Sequence, residues 1–92
     1  MQPIADIQHL ITTAVELIYA HRLDPESLVI NQTRPEYQGQ YTLVTFPLAK
    51  QLRKNPEEMG NAIGTHLTSN GSLISSFQVV KGFLNLSLSD TY

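Results

Sequence analysis

Seven residues near the C-terminus, Phe83 to Ser89 (FLNLSLS), constrain this chain more than any others. Successive side chains of a strand point to opposite faces, so Leu84, Leu86 and Leu88 share one side while Phe83, Asn85, Ser87 and Ser89 share the other. A chain of 92 residues buries one modest core. It cannot leave three leucines in water, so helices must cover the leucine face. The opposite face is then open, and it carries an aromatic ring and a carboxamide in the i,i+2 relation.

The rest of the sequence supplies the cover. Ile4, Ile7, Leu10/Ile11, Ala14/Val15 and Ile18 recur at steps of three and four, which predicts an amphipathic helix ending near His21-Arg22. Asp24-Pro25-Glu26 breaks the chain. Ser27–Gln32 and the β-branched, aromatic Gln40–Phe46 read as two strands paired in a hairpin across the loop TRPEYQG. Pro47 closes the second strand and opens a short helix, LAKQLRK. Asn55-Pro56-Glu57-Glu58 is a helix start: Asn55 caps, Pro56 takes the first helical position, and Glu58 sits where a capping box wants an acid. Met59, Ala62/Ile63 and Leu67 form its apolar stripe, and Asn70-Gly71 is its expected stop. Gly60 and Gly64 weaken that helix, and their i,i+4 spacing offers one side for close packing. Residues 77–81 and 83–89 read as a second pair of strands joined tightly at Gly82. The predicted fold is a single α+β domain: helix–β–β–helix(es)–β–β, a four-stranded antiparallel sheet with helices on one face.

Composition excludes several functions. The absence of cysteine removes disulfides and thiol chemistry. The N-terminal helix lacks a basic n-region and carries Asp6, His9 and Glu16, so it is no signal peptide, and a cytoplasmic location is expected. His9, His21 and His66 have no ligand spacing, so no metal site is expected. Glu57-Glu58 suits a helix dipole better than acid–base work, and no nucleophile or phosphate-binding motif is present. No catalytic residue is assigned. The net charge of −2 argues against indiscriminate nucleic-acid binding, yet residues 34–81 carry five cations against three acids.

An exposed ring beside an amide suits an unpaired base. The ring offers a stacking surface worth roughly 1–3 kcal/mol per base, and the carboxamide offers both a donor and an acceptor to a base edge. Specific RNA recognition favours such splayed bases. Phe83 and Asn85 are therefore the candidate base readers, with Lys81 beside them and Lys50, Arg53 and Lys54 as candidate phosphate contacts. The blander possibility is an ordinary exposed aromatic with solvated charges around it.

A Gly-x-Tyr turn before a strand, then PLAKxLRKxPEEMGxAI, then VVKGFLNLSLS resembles the N-terminal additional domain of bacterial arginyl-tRNA synthetases over essentially the whole chain. The resemblance implies a domain that contacts the D-loop at the outer corner of arginine tRNA, with the aromatic and the amide of the last strand approaching one base. Those positions fall on Phe83 and Asn85. In two places the chain departs from the family pattern. Gln40 stands where the family has aspartate, and Lys81 stands where many members carry glycine or proline.

The HIGH and KMSKS signatures of ATP binding are missing, so the chain is expected to be an excised, non-catalytic domain. ATP-dependent arginylation, and with it the ATP cofactor of protein biosynthesis, would belong to catalytic and anticodon-binding domains elsewhere in a parent ligase. The expected partners are tRNA and the parent's catalytic domain, with neither DNA nor membrane. Weak isolated binding, ~10⁻⁴–10⁻⁶ M, is expected. The alternative is a protein-interaction module docking through its open sheet face: an RNA reader needs both Phe83 and Asn85 exposed, whereas a protein interface would want a larger apolar patch.

Overall fold

A computed structural model describes residues 3–70 and 73–89. The elements run α1 (Pro3–Tyr19), a 3₁₀ turn (Pro25–Ser27), β1 (Ile30–Gln32), β2 (Tyr41–Val44), α2 (Phe46–Leu52), α3 (Pro56–Asn70), β3 (Ile74–Val80) and β4 (Phe83–Leu88). The predicted order and class are those observed. The sheet is antiparallel throughout, in the order β1-β2-β4-β3, so the two hairpins meet where β2 pairs with β4.

All three helices lie on the leucine face. Ile7, Ile11, Ala14 and Val15 of α1 join Met59, Ile63 and Leu67 of α3, Leu48 and Ala49 of α2, and Leu43, Ile74, Leu84 and Leu86 of the sheet in one core. The ends of the α1 stripe fall outside it: Ile4 and Ile18 are exposed, because only the middle of the helix meets a partner surface. No helix among the described residues is long and apolar enough to cross a membrane.

The start of α3 follows the sequence closely. The side-chain oxygen of Asn55 accepts from the N–H groups of Glu57 (2.9 Å) and Glu58 (3.1 Å), satisfying two of the orphan donors of the first turn. Gly60 and Gly64 then face β3. A Cβ on Gly60 would meet the Val79 methyls at 3.2–3.3 Å, and one on Gly64 would lie 2.5 Å from Cγ of Phe77. Four helical residues rise about 6.0 Å and two strand residues about 6.6 Å. The glycine pair therefore keeps step with Val79 and Phe77 as α3 runs antiparallel to β3.

Several boundaries differ from the sequence expectation. The first helix stops at Tyr19, not His21-Arg22, because Ala20 turns left-handed (φ 53°). The first strand begins at Ile30, not Ser27. Asp24 caps a 3₁₀ turn there, its carboxylate accepting the Glu26 N–H at 3.0 Å. The third strand starts earlier, at Ile74, past a register shift between Ile74 and Ser76 whose serines hide the alternation. Gly71, expected to end α3, lies outside the described residues.

Candidate nucleic-acid interface

Register places the open-face residues in two rows. Asn31, Thr42, Asn85 and Gln78 are direct cross-strand partners from β1 to β3, and all carry amides or hydroxyls. The adjacent row runs Val44, Phe83, Val80 and is apolar. A flat ring laid on the second row would present its edge to the first.

The turn that delivers Phe83 is short. Lys81 (φ 51°) and Gly82 (φ 82°) are both left-handed, the type I′ pattern that matches strand twist. A side chain at Gly82 would collide with the Phe46 ring, 2.8 Å from Cζ. Buried Thr45 donates its hydroxyl to the Gly82 carbonyl, tying the end of β2 to the turn. Phe46 then meets Phe83 edge-on, with centroids 5.6 Å apart at 82°. This contact leaves Phe83 40% exposed yet braced from one side.

Asn85 differs from expectation. It lies on the open-face side, as alternation requires, but is only 3% exposed. It sits on a central strand between Thr42 and Gln78, with the aromatic row beside it, so neighbours surround it within its own face. Its Oδ1 accepts from the Thr42 hydroxyl at 2.6 Å, and Thr42 in turn meets the Thr33 hydroxyl at 2.9 Å. Asn85 thus forms part of the floor of a groove.

That groove, of about 220 Å³, is lined by Phe83, Asn85, Thr42, Val44, Val80 and Lys81 from the sheet and its turn, by Asn31 and Gln32 of β1, and by Arg34 and Tyr37 of the β1–β2 loop. It is smaller than the roughly 300–1,000 Å³ of a drug-sized site, a scale suited to one planar ring. The cations at its rim are Lys81 and Arg34.

Lys50, Arg53 and Lys54 are not among the lining residues. Arg53 is the left-handed C-cap of α2, its N–H directed at the Ala49 and Lys50 carbonyls. The Lys54 ammonium lies 5.8 Å from the Tyr19 ring centroid, at the end of α1. That ring's hydroxyl has its pKa raised, first by burial and then by the nearby Glu58 carboxylate.

With the geometry in place, comparison with known proteins decides the family. The profile of the arginyl tRNA synthetase N terminal domain matches residues 5–88. The chain belongs to that family. Arginine–tRNA ligases of Porphyromonas gingivalis and Amoebophilus asiaticus are 35% and 34% identical over 96% and 92% of this chain. The arginyl-tRNA synthetase of Thermus thermophilus superposes with a TM-score of 0.69 at 25% identity, over 90% of this chain and 13% of its own. The chain spans only 14–15% of the length of the two curated relatives.

Within this synthetase N-terminal domain, Gln40 has a visible task. The Gln40 backbone N–H donates to the Leu86 carbonyl at 2.9 Å, and its side-chain Oε1 accepts the Leu88 N–H at 2.8 Å. The amide therefore extends the β2–β4 ladder beyond its last paired residue. Sequence reasoning missed Arg34 and Tyr37. The available signal was an exposed aromatic and a cation inside a Pro- and Gly-bounded loop.

Proposed function

We propose that this chain is a non-catalytic tRNA-binding accessory domain of an arginine–tRNA ligase, which receives an unpaired D-loop base of arginine tRNA in the open-face groove. The observation that carries this reading is the juxtaposition of an apolar row holding Phe83 with a polar row holding Asn85, in a one-ring groove on a synthetase N-terminal domain. Phe83 supplies the stacking surface, Asn85 the contact to the base edge, and Lys81 and Arg34 the countercharge for flanking phosphates. Tyr37, 43% exposed and also lining the groove, offers a second ring. Arginylation and its ATP belong to other domains of the ligase, and the domain contributes affinity and orientation in the cytoplasm.

Lys50, Arg53 and Lys54 form a separate basic surface that touches phosphate only when tRNA wraps past α2. Fluorescence anisotropy with arginine tRNA transcript distinguishes the two surfaces. Phe83→Ala is expected to weaken binding by roughly 5- to 150-fold, the loss of one stacked base. The Lys50, Arg53, Lys54 triple alanine variant should lose less at moderate salt. The reverse ranking would move the interface from the sheet to α2. Binding unaffected by either set would favour a protein partner for the open face.

A further inference from the structure

Asn85 can face a base in two ways, with its carbonyl or with its NH₂ group, and the two choices read opposite chemistries. The short contact to the neighbouring Thr42 hydroxyl indicates which. Thr42 has one hydroxyl hydrogen, and it is donated to Asn85 Oδ1 at 2.6 Å. The 2.9 Å contact between the Thr33 and Thr42 hydroxyls must then run the other way, with Thr33 donating and Thr42 accepting. Thr33 is itself held in the ladder, its N–H donating to the Gln40 carbonyl at 3.0 Å. The chain Thr33→Thr42→Asn85 crosses from the β1 side of the sheet to β4 in one direction.

Its end is a carbonyl already occupied and an NH₂ group that is not. Among the described residues nothing accepts from Asn85 Nδ2, and no side-chain nitrogen or oxygen is both fully buried and unpartnered. The NH₂ group therefore retains access to the groove that Asn85 lines. Rotating the amide by half a turn would reverse the relay, Asn85 Nδ2 donating to Thr42 and Thr42 to Thr33, and would leave the carbonyl as the free group. The 2.6 Å separation selects the first arrangement, since it suits O–H···O and is shorter than the usual N–H···O range of about 2.7–3.2 Å.

Resting on the base-reading function proposed above, we infer that Thr33 and Thr42 are positioning residues that fix Asn85 as a hydrogen-bond donor. The groove then selects a base presenting an acceptor, such as an unprotonated purine ring nitrogen or a pyrimidine carbonyl, over one presenting an N–H. The two threonines need not touch RNA. They act by removing the amide's freedom to flip, so their contribution is to discrimination between bases more than to affinity.

The test uses arginine tRNA transcripts and the folded domain, with folding checked from the ¹H–¹⁵N spectrum of each variant. Changing each unpaired D-loop base in turn locates the position to which the wild-type domain responds, and all four bases at that position give its ranking. Wild-type discrimination of roughly 5- to 150-fold is expected. Thr42→Val should compress that ranking to within a few-fold, while Thr42→Ser, which keeps the hydroxyl, should restore it. A Thr42→Val domain that folds and keeps the wild-type ranking and spread overturns the inference. Should Thr42→Val not fold, the more accessible Thr33→Val carries the test with the same criterion. If the wild-type domain binds without preference at any D-loop position, the base-reading function itself fails, a separate result from an unchanged ranking in the variant.

Discussion

Replacing Gly64 with alanine sets two effects of similar size against each other, and the structure decides their sign. Alanine in a helix interior is favoured over glycine by about 1 kcal/mol. Against that gain, the new Cβ would lie 2.5 Å from Cγ and 2.7 Å from Cε2 of Phe77, far inside the roughly 3.5–4.0 Å of carbon–carbon contact. Cγ moves only if χ1 of Phe77 rotates or α3 lifts from β3, and overpacking of this kind costs about 1–3 kcal/mol. Gly64→Ala should therefore destabilise the domain by up to about 2 kcal/mol, with about 4–8 °C of melting temperature per kcal/mol. In a Phe77→Ala background the obstacle is gone, and the same substitution should stabilise by about 1 kcal/mol. Urea denaturation followed by circular dichroism on the four members of this cycle measures the coupling, expected at about 1–3 kcal/mol. If Gly64→Ala stabilises the wild-type domain as much as the Phe77→Ala domain, the close helix–sheet approach described here is wrong.

Two further perturbations follow from single residues. Lys81 occupies a left-handed position that asparagine adopts more readily, so Lys81→Asn should raise stability by a few tenths to about 1 kcal/mol in urea melts. The same variant should weaken tRNA binding and reduce the salt slope by about one. Gain of stability with loss of binding is the signature of a cation held for its ligand. Tyr19 has a folded pKa above its ordinary value through burial and the Glu58 carboxylate. The folded state therefore holds that proton longer than the unfolded one does. Stability should be flat with respect to this group below about pH 10 and fall as pH rises through the folded pKa. Tyr19→Phe should remove that component of the alkaline loss, as measured by urea midpoints on either side of pH 10.

Much of the fold was legible because local chemistry and global need agree. Asn55-Pro56 begins a helix by supplying an acceptor for free N–H groups, and it does so wherever that helix packs. Lys81-Gly82 closes a hairpin because both residues lie between two strands that must reverse. The alternation from Phe83 to Leu88 fixes faces without reference to any neighbour. Depth is another matter. Asn85 was expected at the surface and is buried, because its neighbours on β2 and β3 come from segments about forty residues before it and a few residues before it. Only the β2–β4 pairing, which no hairpin rule supplies, brings Thr42 to Asn85 and Arg34 and Tyr37 to the same groove. Lys50, Arg53 and Lys54 illustrate the converse. They cluster in sequence, yet none of them lines the groove that Phe83 and Asn85 share.

The measurement that most directly tests the central claim is chemical-shift mapping of the ¹⁵N-labelled domain with unmodified arginine tRNA transcript, repeated with Phe83→Ala. The account predicts perturbations concentrated on residues 31–37 and 80–86, including the side-chain amide of Asn85, and largely lost in the variant. Shifts confined to the helical layer around α2, or a pattern on the sheet that survives Phe83→Ala unchanged, would contradict it.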